Sequence, residues 1–431
     1  MKILYAVRLF SGLEKSVLDG AWKPTGVPTI FKMIEALEKS GHDLRLVLSA
    51  KDGFSRWSEV RDRHLTLDGL RTPVTVLAGK AAIPRLFGRL RQPLRDLRHA
   101  LRITMMALRE RPDIIYVDHA SVWAGGILGR LMPGRVVFRV MGVYPVMRDV
   151  LDRPGLSARI MRWCYRAPYG LAICSQDGSG IEGWLERALD PSVPRVGVIN
   201  GCDVPAAVSG DGLDPRLAAL PKDRTIVLSV GKLEWEKGAG EFVDGVLKAL
   251  QRMPKALHAL IVGTGSLEAE ARSRVEAAGA SEHVTFIDRM PHAQVFAARA
   301  RADIYVSLNR YGNLSNANLE AMRMGQCMVF PGAQPDSGID VATDMLVPPD
   351  AVRRIPTADD TDALADALLE LHADPETRAR MGRSIAAAAE RFIGGWDTRI
   401  AWELALLERL AAEGRASLPR DVPPPGRETP Q

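Results

Sequence analysis

The sequence predicts an α/β protein built from two doubly wound parallel sheets. Three observations carry that expectation. Short, continuously apolar runs alternate with helical patterns, which suits parallel strands covered on both faces. The alternation breaks once, over 206–224, and then restarts. The 431 residues are more than a single core needs.

In the first half, KILYAV (2–7), LRLVLS (44–49), DIIYV (113–117), VVFRV (136–140), LAIC (171–174) and RVGVI (195–199) read as strands. Helical patterns separate them. Gly26 to Ser40 places Ile30, Met33, Ile34 and Leu37 on one face, and others cover about 85–110, from about 121, about 156–166 and near 178–189. These elements make a first domain over 1–205. AAVSGDGLDPRLAALPKDR reads as a linker over 206–224, being rich in Pro, Gly, Asp and Ala. The second domain, 225–395, repeats the pattern with strands TIVLSV (225–230), LHALIV (257–262), HVTFI (283–287), DIYVSL (303–308) and CMVF (327–330). The two domains are expected to face each other across a cleft. A C-terminal helix over 396–414 and a disordered Pro-rich tail over 415–431 complete the expectation.

Composition narrows the function. With 46% apolar and 25% charged residues the chain is ordinary globular material, not a disordered one. No run reaches the length that spans a bilayer, and MKILYAVRLF opens directly on a strand, so a cytoplasmic location is expected. Cys164, Cys174, Cys202 and Cys327 lack C-x-x-C spacing, which argues against a disulfide framework or a cysteine zinc site. The net charge of +5 divides into +11 over 1–205 and −6 over 206–431. The basic half points to an anionic partner: nucleic acid, a membrane surface or a phosphorylated substrate. Nucleic acid is disfavoured, because aromatic residues are only 6% and no RNA- or DNA-reading motif occurs.

Ligands of open α/β sheets bind beyond the carboxyl ends of the strands. There LSVGKLEWEKGAGEF (228–242) offers Gly231, whose turn lets the backbone approach a ligand, and then Lys232 and Lys237 beside a helix start. Two ammonium groups at a helix N-terminus suit a diphosphate; a solvated basic face is the bland alternative. No G-x-x-x-x-G-K-[ST] is present, so this is not a P-loop. YVSLNRYGNLSNANLEAMRMG (305–325) runs from a strand through a polar loop into a helix. Asn313, Ser315 and Asn316 are turn and cap residues whose N–H groups can point at an anion. Glu320 can accept two hydrogen bonds from a ribose diol or simply favour its helix start. His119, after DIIYV, is a candidate catalytic residue or a structural hydrogen-bond partner. Residues 80–113 carry nine Lys/Arg from Lys80 to Arg111, with Leu86, Leu90, Leu94, Leu97, Leu101, Met105 and Leu108 at helical spacing. Such a segment either lies on an anionic membrane or packs an ordinary helix with a solvated basic face. Pro84 and Pro93 argue against one unbroken helix.

VGKLEWEKG (230–238), IVGTGSLEAE (261–270), ARADIYVSLN (300–309) and GNLSNANLEAM (312–322) occur in the order and spacing of V-G-R-L-x-x-x-K-G, a strand with G-x-G, A-D-x-x-V-x-P-S and E-G-F-G-x-x-x-L-E-A-M. In these segments the chain resembles the retaining family-4 glycosyltransferases of the GT-B fold. The first half agrees more loosely, through Gly26, RPDIIYV and NGCDVP. The resemblance implies two Rossmann-like domains, the first binding an acceptor and the second a nucleotide-sugar. It implies that Lys232 and Lys237 hold the donor diphosphate, that Glu320 binds the ribose, and that Gly26 lets the first loop approach the diphosphate. It further implies retention, no metal and no cofactor beyond the nucleotide-sugar substrate. The acceptor would sit in the basic first half and be a glycan or a lipid-linked glycan, and the basic segment with its +11 half points to a cytoplasmic protein that can associate peripherally with the inner membrane face. The family's first Glu falls on Gly312, and a frequent His falls on Met141. Asn309, Tyr311 or Asn313 would then contact the donor sugar. Two other functions fit the same architecture: a non-hydrolysing nucleotide-sugar epimerase, and a nucleotide- or glycan-binding protein without catalysis.

Overall fold

The computed structural model describes residues 1–51, 57–205 and 213–425. They form two compact units. The first contains Met1–Ser175, Ile181–Val198 and the chain from Trp396 onward; the second contains Gln176–Gly180 and Ile199–Gly395.

The first unit has strands β1 (Lys2–Arg8), β2 (Asp43–Ser49), β3 (Arg63–Leu67), β4 (Leu70–Leu77), β5 (Ile114–Asp118), β6 (Val136–Val140), β7 (Leu171–Ser175) and β8 (Arg195–Val198). They form one sheet in the order β3-β4-β2-β1-β5-β6-β7-β8. Only the β3–β4 pair is antiparallel. Strand β1 is apolar throughout its middle because both its faces are covered. Ile3, Tyr5 and Val7 enter one core with helix Pro28–Lys39 and the C-terminal helix Trp396–Glu413. Leu4 and Ala6 enter the other, with helices Arg91–Glu110 and Val122–Leu131.

Hairpin β3–β4 is absent from the sequence reading. Its two-residue turn is Asp68-Gly69, with Gly69 at φ 82°. Pro73 obscures the signal, because a proline in a strand cannot donate to the ladder; it lies where the register shifts between Leu65 and Leu67.

Two further expectations change. The tail from 415 to 425 is ordered against the first unit: Leu418 and Val422 are buried, Arg195 N–H donates to the Arg420 carbonyl at 2.7 Å, and Val422 N–H donates to the Arg195 carbonyl at 2.9 Å. The exposed edge of β8 captures this segment by main-chain hydrogen bonds, which a Pro-rich composition does not reveal. Residues 426–431 lie outside the described residues. In the 206–224 stretch, 206–212 lie outside the described residues, but Asp214 caps helix Pro215–Ala218, and Leu217 and Leu220 are buried in the second unit.

The basic segment forms short 3₁₀ turns at Lys80–Ala82 and Arg85–Leu90, then helix Arg91–Glu110. Pro93 falls in the first turn, where its missing N–H has no intrahelical use. The helix buries Arg95, His99, Ala100, Ile103, Thr104 and Ala107, not its leucines. No helix among the described residues is long and apolar enough to cross a membrane.

The second unit has strands β9 (Thr225–Val230), β10 (Leu257–Val262), β11 (Val284–Ile287), β12 (Ile304–Val306), β13 (Cys327–Pro331) and β14 (Val352–Ile355), in the order β11-β10-β9-β12-β13-β14. All its pairs are parallel. In each sheet the winding reverses beside the unit's first strand, between β1 and β5 and between β9 and β12. The loops leaving the carboxyl ends of those strands are where such sheets bind ligands.

Candidate functional site

In the second unit, β9 ends in a loop that runs through Gly231 and Lys232 to a 3₁₀ turn at Trp235–Lys237, then into helix Ala239–Arg252. Gly231 has φ 151° and Gly238 has φ 66°. A Cβ on Gly238 would stand 2.4 Å from the Leu308 Cβ, so only glycine lets the β9 and β12 loops close on each other. The second G-x-G has a similar reason. A Cβ on Gly263 would meet the Gly231 carbonyl at 1.7 Å, and one on Gly265 the Leu233 carbonyl at 2.2 Å. The loops are laced by Leu233 N–H to the Thr264 carbonyl at 3.0 Å.

Lys232 is exposed and Lys237 half-buried. Burial pushes the Lys237 ammonium below its ordinary value, and Lys232 adds to the effect, while Asp177 and Glu236 oppose it. The two cations therefore feel one another at the start of a helix. An anion there would relieve the repulsion and favour the charged form.

The β12 loop is internally tied. Ser307 Oγ donates to Asn313 Oδ1 at 2.9 Å, Asn318 Nδ2 donates to the Asn313 carbonyl at 3.1 Å, and Asn309 Nδ2 donates to the Gly312 carbonyl. The Asn313 backbone N–H donates to Asp340 at 2.6 Å, and its side-chain amide donates to the other oxygen of the same carboxylate. Asn313 is wholly buried. Asn309 and Asn313 thus shape the loop by their internal bonds. Tyr311 is half-buried, its ring 6.4 Å from the exposed Trp235. Ser315 is the N-cap of helix Asn316–Arg323, with no hydrogen bond from its side chain to the helix. Asn316 Oδ1 accepts from Asn200 Nδ2 at 2.8 Å.

Glu320 projects from that helix. Its carboxylate accepts from His292 Nε2 at 2.8 Å and lies 3.4 Å from the buried Arg299 guanidinium. Arg299 is fixed by Gln326 at 2.9 Å, by the Ala317 carbonyl at 2.6 Å and by the face of Tyr305. The hydrogen bond to Glu320 raises the His292 imidazole above its ordinary value. Glu320 is therefore held on one side by the buried Arg299 guanidinium and on the other by the exposed His292 imidazole.

In the first unit, Gly26 has φ 91°, open space where a Cβ would be, and lies two residues before helix Pro28–Lys39. His119 follows β5, and its Nε2 is 2.8 Å from the Tyr165 hydroxyl. Burial, helped by Arg8 and Lys51, lowers its pKa to about 4, so the ring is neutral at pH 7. It lines a cavity of about 230 Å³ with Arg8, Lys51, Arg95, Asp96 and Ser121. Lys51 Nζ and Arg95 both bond Asp96, at 2.5 and 2.9 Å. The cavity occupies the reversal point between β1 and β5.

Sequence reading missed Asp177, His292, Arg299, Arg310 and Asp340. Arg310 lies 4.5 Å over the Trp235 ring and bonds Glu241 at 2.6 Å and Asp359 at 2.7 Å, clamping the two loops. Asp177, His292, Arg299 and Asp340 lie outside the loop segment they support, and Arg310 lies within it but finds its partners 49 to 75 positions away, so no local spacing announces these contacts.

Residues 214–387 match the family model described as "Glycosyl transferases group 1". A 2-deoxystreptamine N-acetyl-D-glucosaminyltransferase of Streptomyces fradiae is 30% identical over 331 residues, 71% of this chain and 73% of the relative. An alpha-D-kanosaminyltransferase of Streptomyces kanamyceticus is 29% identical over 38% of this chain, and the match spans only 40% of that relative's length. A solved sucrose-phosphate synthase from Thermosynechococcus elongatus superposes with a TM-score of 0.67 at 17% identity, covering 95% of this chain and 98% of that one. Two parallel α/β units of this topology, a matching second unit and a relative aligned over most of both chains place the protein among the group 1 glycosyl transferases, with the GT-B fold.

Proposed function

We propose that the chain transfers a sugar from a nucleoside-diphosphate donor to a glycan or lipid-linked acceptor, with retention and without a metal. Lys232 and Lys237 neutralise the charge that develops on the leaving diphosphate, a stabilisation that needs no metal. The N-terminus of helix Asn316–Arg323, capped at Ser315, adds backbone N–H groups. Glu320, held by Arg299, accepts from the ribose hydroxyls once His292 swings aside. The acceptor enters the polar cavity beside β1 and β5, where neutral His119 offers a hydrogen bond rather than a proton. The protein works from the inner face of the membrane. The observation that carries this reading is the pair of lysines at the reversal point of the second sheet.

A panel of nucleotide-sugars and acceptors tests it. Free nucleoside diphosphate should appear in step with glycosylated acceptor. Sugar interconversion without any acceptor would favour an epimerase. A second reading, nucleotide binding without turnover, rests on Gly312, which leaves this loop without the family's carboxylate. Binding without transfer across the whole panel would favour it.

A further inference from the structure

The helix Arg91–Glu110 is apolar on two sides: Ala100, Ile103 and Ala107 enter the core, and its leucines face outward. Its buried side carries Arg95 and His99, while Leu97, Leu101, Met105 and Leu108 are 41%, 50%, 41% and 48% exposed. The preceding turn adds Leu86 at 82% and Leu90 at 60%. At about 100° per residue, Leu90, Leu97, Leu101, Met105 and Leu108 fall within one narrow arc. Continuous apolar surface of this kind marks an interaction site. Arg91, Arg98, Arg102 and Arg109 follow the same periodicity along one border of the stripe, where Asp62 pairs with Arg98 and Arg102 and leaves the border with a net positive charge.

A second feature lies on the same side of the sheet. Helix Val122–Leu131 packs against both Arg91–Glu110 and Leu156–Tyr165. At the far helix, Arg130, Arg153, Arg159, Arg162 and Arg166 line an open groove of about 640 Å³ in which Asp152 is the one carboxylate. Arg130 lies 3.7 Å over the ring of Trp163, which is 46% exposed, and Leu156 beside it is 73% exposed. Arginines, an exposed Trp and an exposed Leu together match the boundary between headgroups and acyl chains.

We propose that this side of the first unit docks on an anionic bilayer, with the leucine stripe entering the acyl boundary and the arginine groove taking lipid phosphates. Charge complementarity selects the occupant. A second copy covering the stripe would bring like arginine borders together, whereas anionic lipid answers stripe and groove at once. The inference extends the peripheral location proposed above and does not depend on the donor chemistry.

Vesicle co-sedimentation of the full chain tests it. Phosphatidylcholine vesicles with and without 30 mol% phosphatidylglycerol are compared at low and high salt, using the wild type, Leu97→Ser/Leu101→Ser/Leu108→Ser and Arg159→Ser/Arg166→Ser. The wild type should bind the anionic vesicles and release as salt rises. The arginine pair should weaken binding by roughly 25-fold, about fivefold per charge. The leucine variant should lose most of the rest, with the unfolding temperature near that of the wild type, since every changed side chain is at least partly exposed. Absence of wild-type binding at low salt overturns both the surface and the location. Binding that both variants retain leaves the location standing and overturns this surface. Self-association that the leucine variant abolishes, with no vesicle binding, assigns the stripe to a second copy and overturns the proposal.

Discussion

The backbone N–H of Asn313 donates to the Asp340 carboxylate at 2.6 Å, and the Asn313 side-chain amide reaches the same carboxylate. Thr343 Oγ1 adds a third donor at 2.7 Å. Asp340 sits at φ 59°, a backbone conformation that costs a non-glycine residue energy and persists because these bonds hold it. The β12 loop thus takes its shape from a residue on another element. Asp340→Ala should leave buried donors unpaired at a cost of about 1–3 kcal/mol each. The unfolding temperature should drop and the nucleotide Kd should rise. Unchanged values for both would mean that the loop holds its shape unaided.

Gly312→Glu would return the family's carboxylate to its usual place, and the fold opposes it. Gly312 has φ 123°, and a Cβ there would lie 2.4 Å from the Asp177 carbonyl. The contact is with backbone, so it cannot be relieved by turning a side chain. Even Gly312→Ala should destabilise the protein by about 1–3 kcal/mol. The glutamate variant should show no gain in transfer. A clear gain would mean that the loop had room to readjust and had lost, rather than remodelled, its sugar contact.

Most of the fold was legible because the strands of both sheets are buried on two faces, and so read as unbroken apolar runs. The elements that escaped have a different signature. Hairpin β3–β4 is interrupted by Pro73, β14 reads VRRI, and the segment around Asp421 joins the sheet through its main chain. Lys232 and Lys237 stand out in the sequence as candidates because a strand, a glycine turn and a helix follow one another locally. The braces could not: Asp340 reaches Asn313 across 27 positions, and His292 reaches Glu320 across 28. Asn309 and Asn313 were expected at the sugar, but their amides are used inside the loop.

Glu320 should discriminate ribose hydroxyls. Glu320→Ala should weaken nucleotide binding by about 1.5–3 kcal/mol per lost charged hydrogen bond. Removing the 2′ and 3′ hydroxyls should then cost the wild type much and the variant little, because both changes remove one interaction. His292→Ala should strengthen binding modestly by uncovering the carboxylate. Equal hydroxyl discrimination by wild type and Glu320→Ala would assign Glu320 to its helix alone.

Acid should destabilise the first unit through its buried histidines. Burial, with Lys51 nearby, lowers His99 to about 3, and His99 Nε2 donates to the Ala78 carbonyl at 2.8 Å. His119 is lowered to about 4. Both folded values lie below the unfolded value of about 6.5. Their contribution is therefore complete above pH 6.5 and is lost as pH falls toward the folded values. Glu403 adds to this at lower pH. Burial pulls its carboxyl up, but Arg399, Arg139 and the Tyr116 hydroxyl outweigh that and hold it below its ordinary range. Denaturant titrations from pH 7 to pH 4 should show stability falling by about 1.4 kcal/mol per pH unit for each histidine that takes up its proton only on unfolding. His99→Gln should remove one such increment. A flat profile over that range would contradict the buried, neutral assignment.

The central claim is that the lysine pair after β9 holds a diphosphate. Calorimetric titration with UDP, GDP and ADP tests it without requiring the acceptor. At least one of the three should bind the wild type. Lys232→Ala and Lys237→Ala should each weaken that nucleotide roughly 10–150-fold, from the loss of one charge-assisted bond. The double variant should bind none measurably, and its thermal unfolding should stay close to the wild type's, since an exposed and a half-buried lysine contribute little to stability. A double variant that binds the same nucleotide as tightly as the wild type, or a wild type that binds none of the three, would contradict the account.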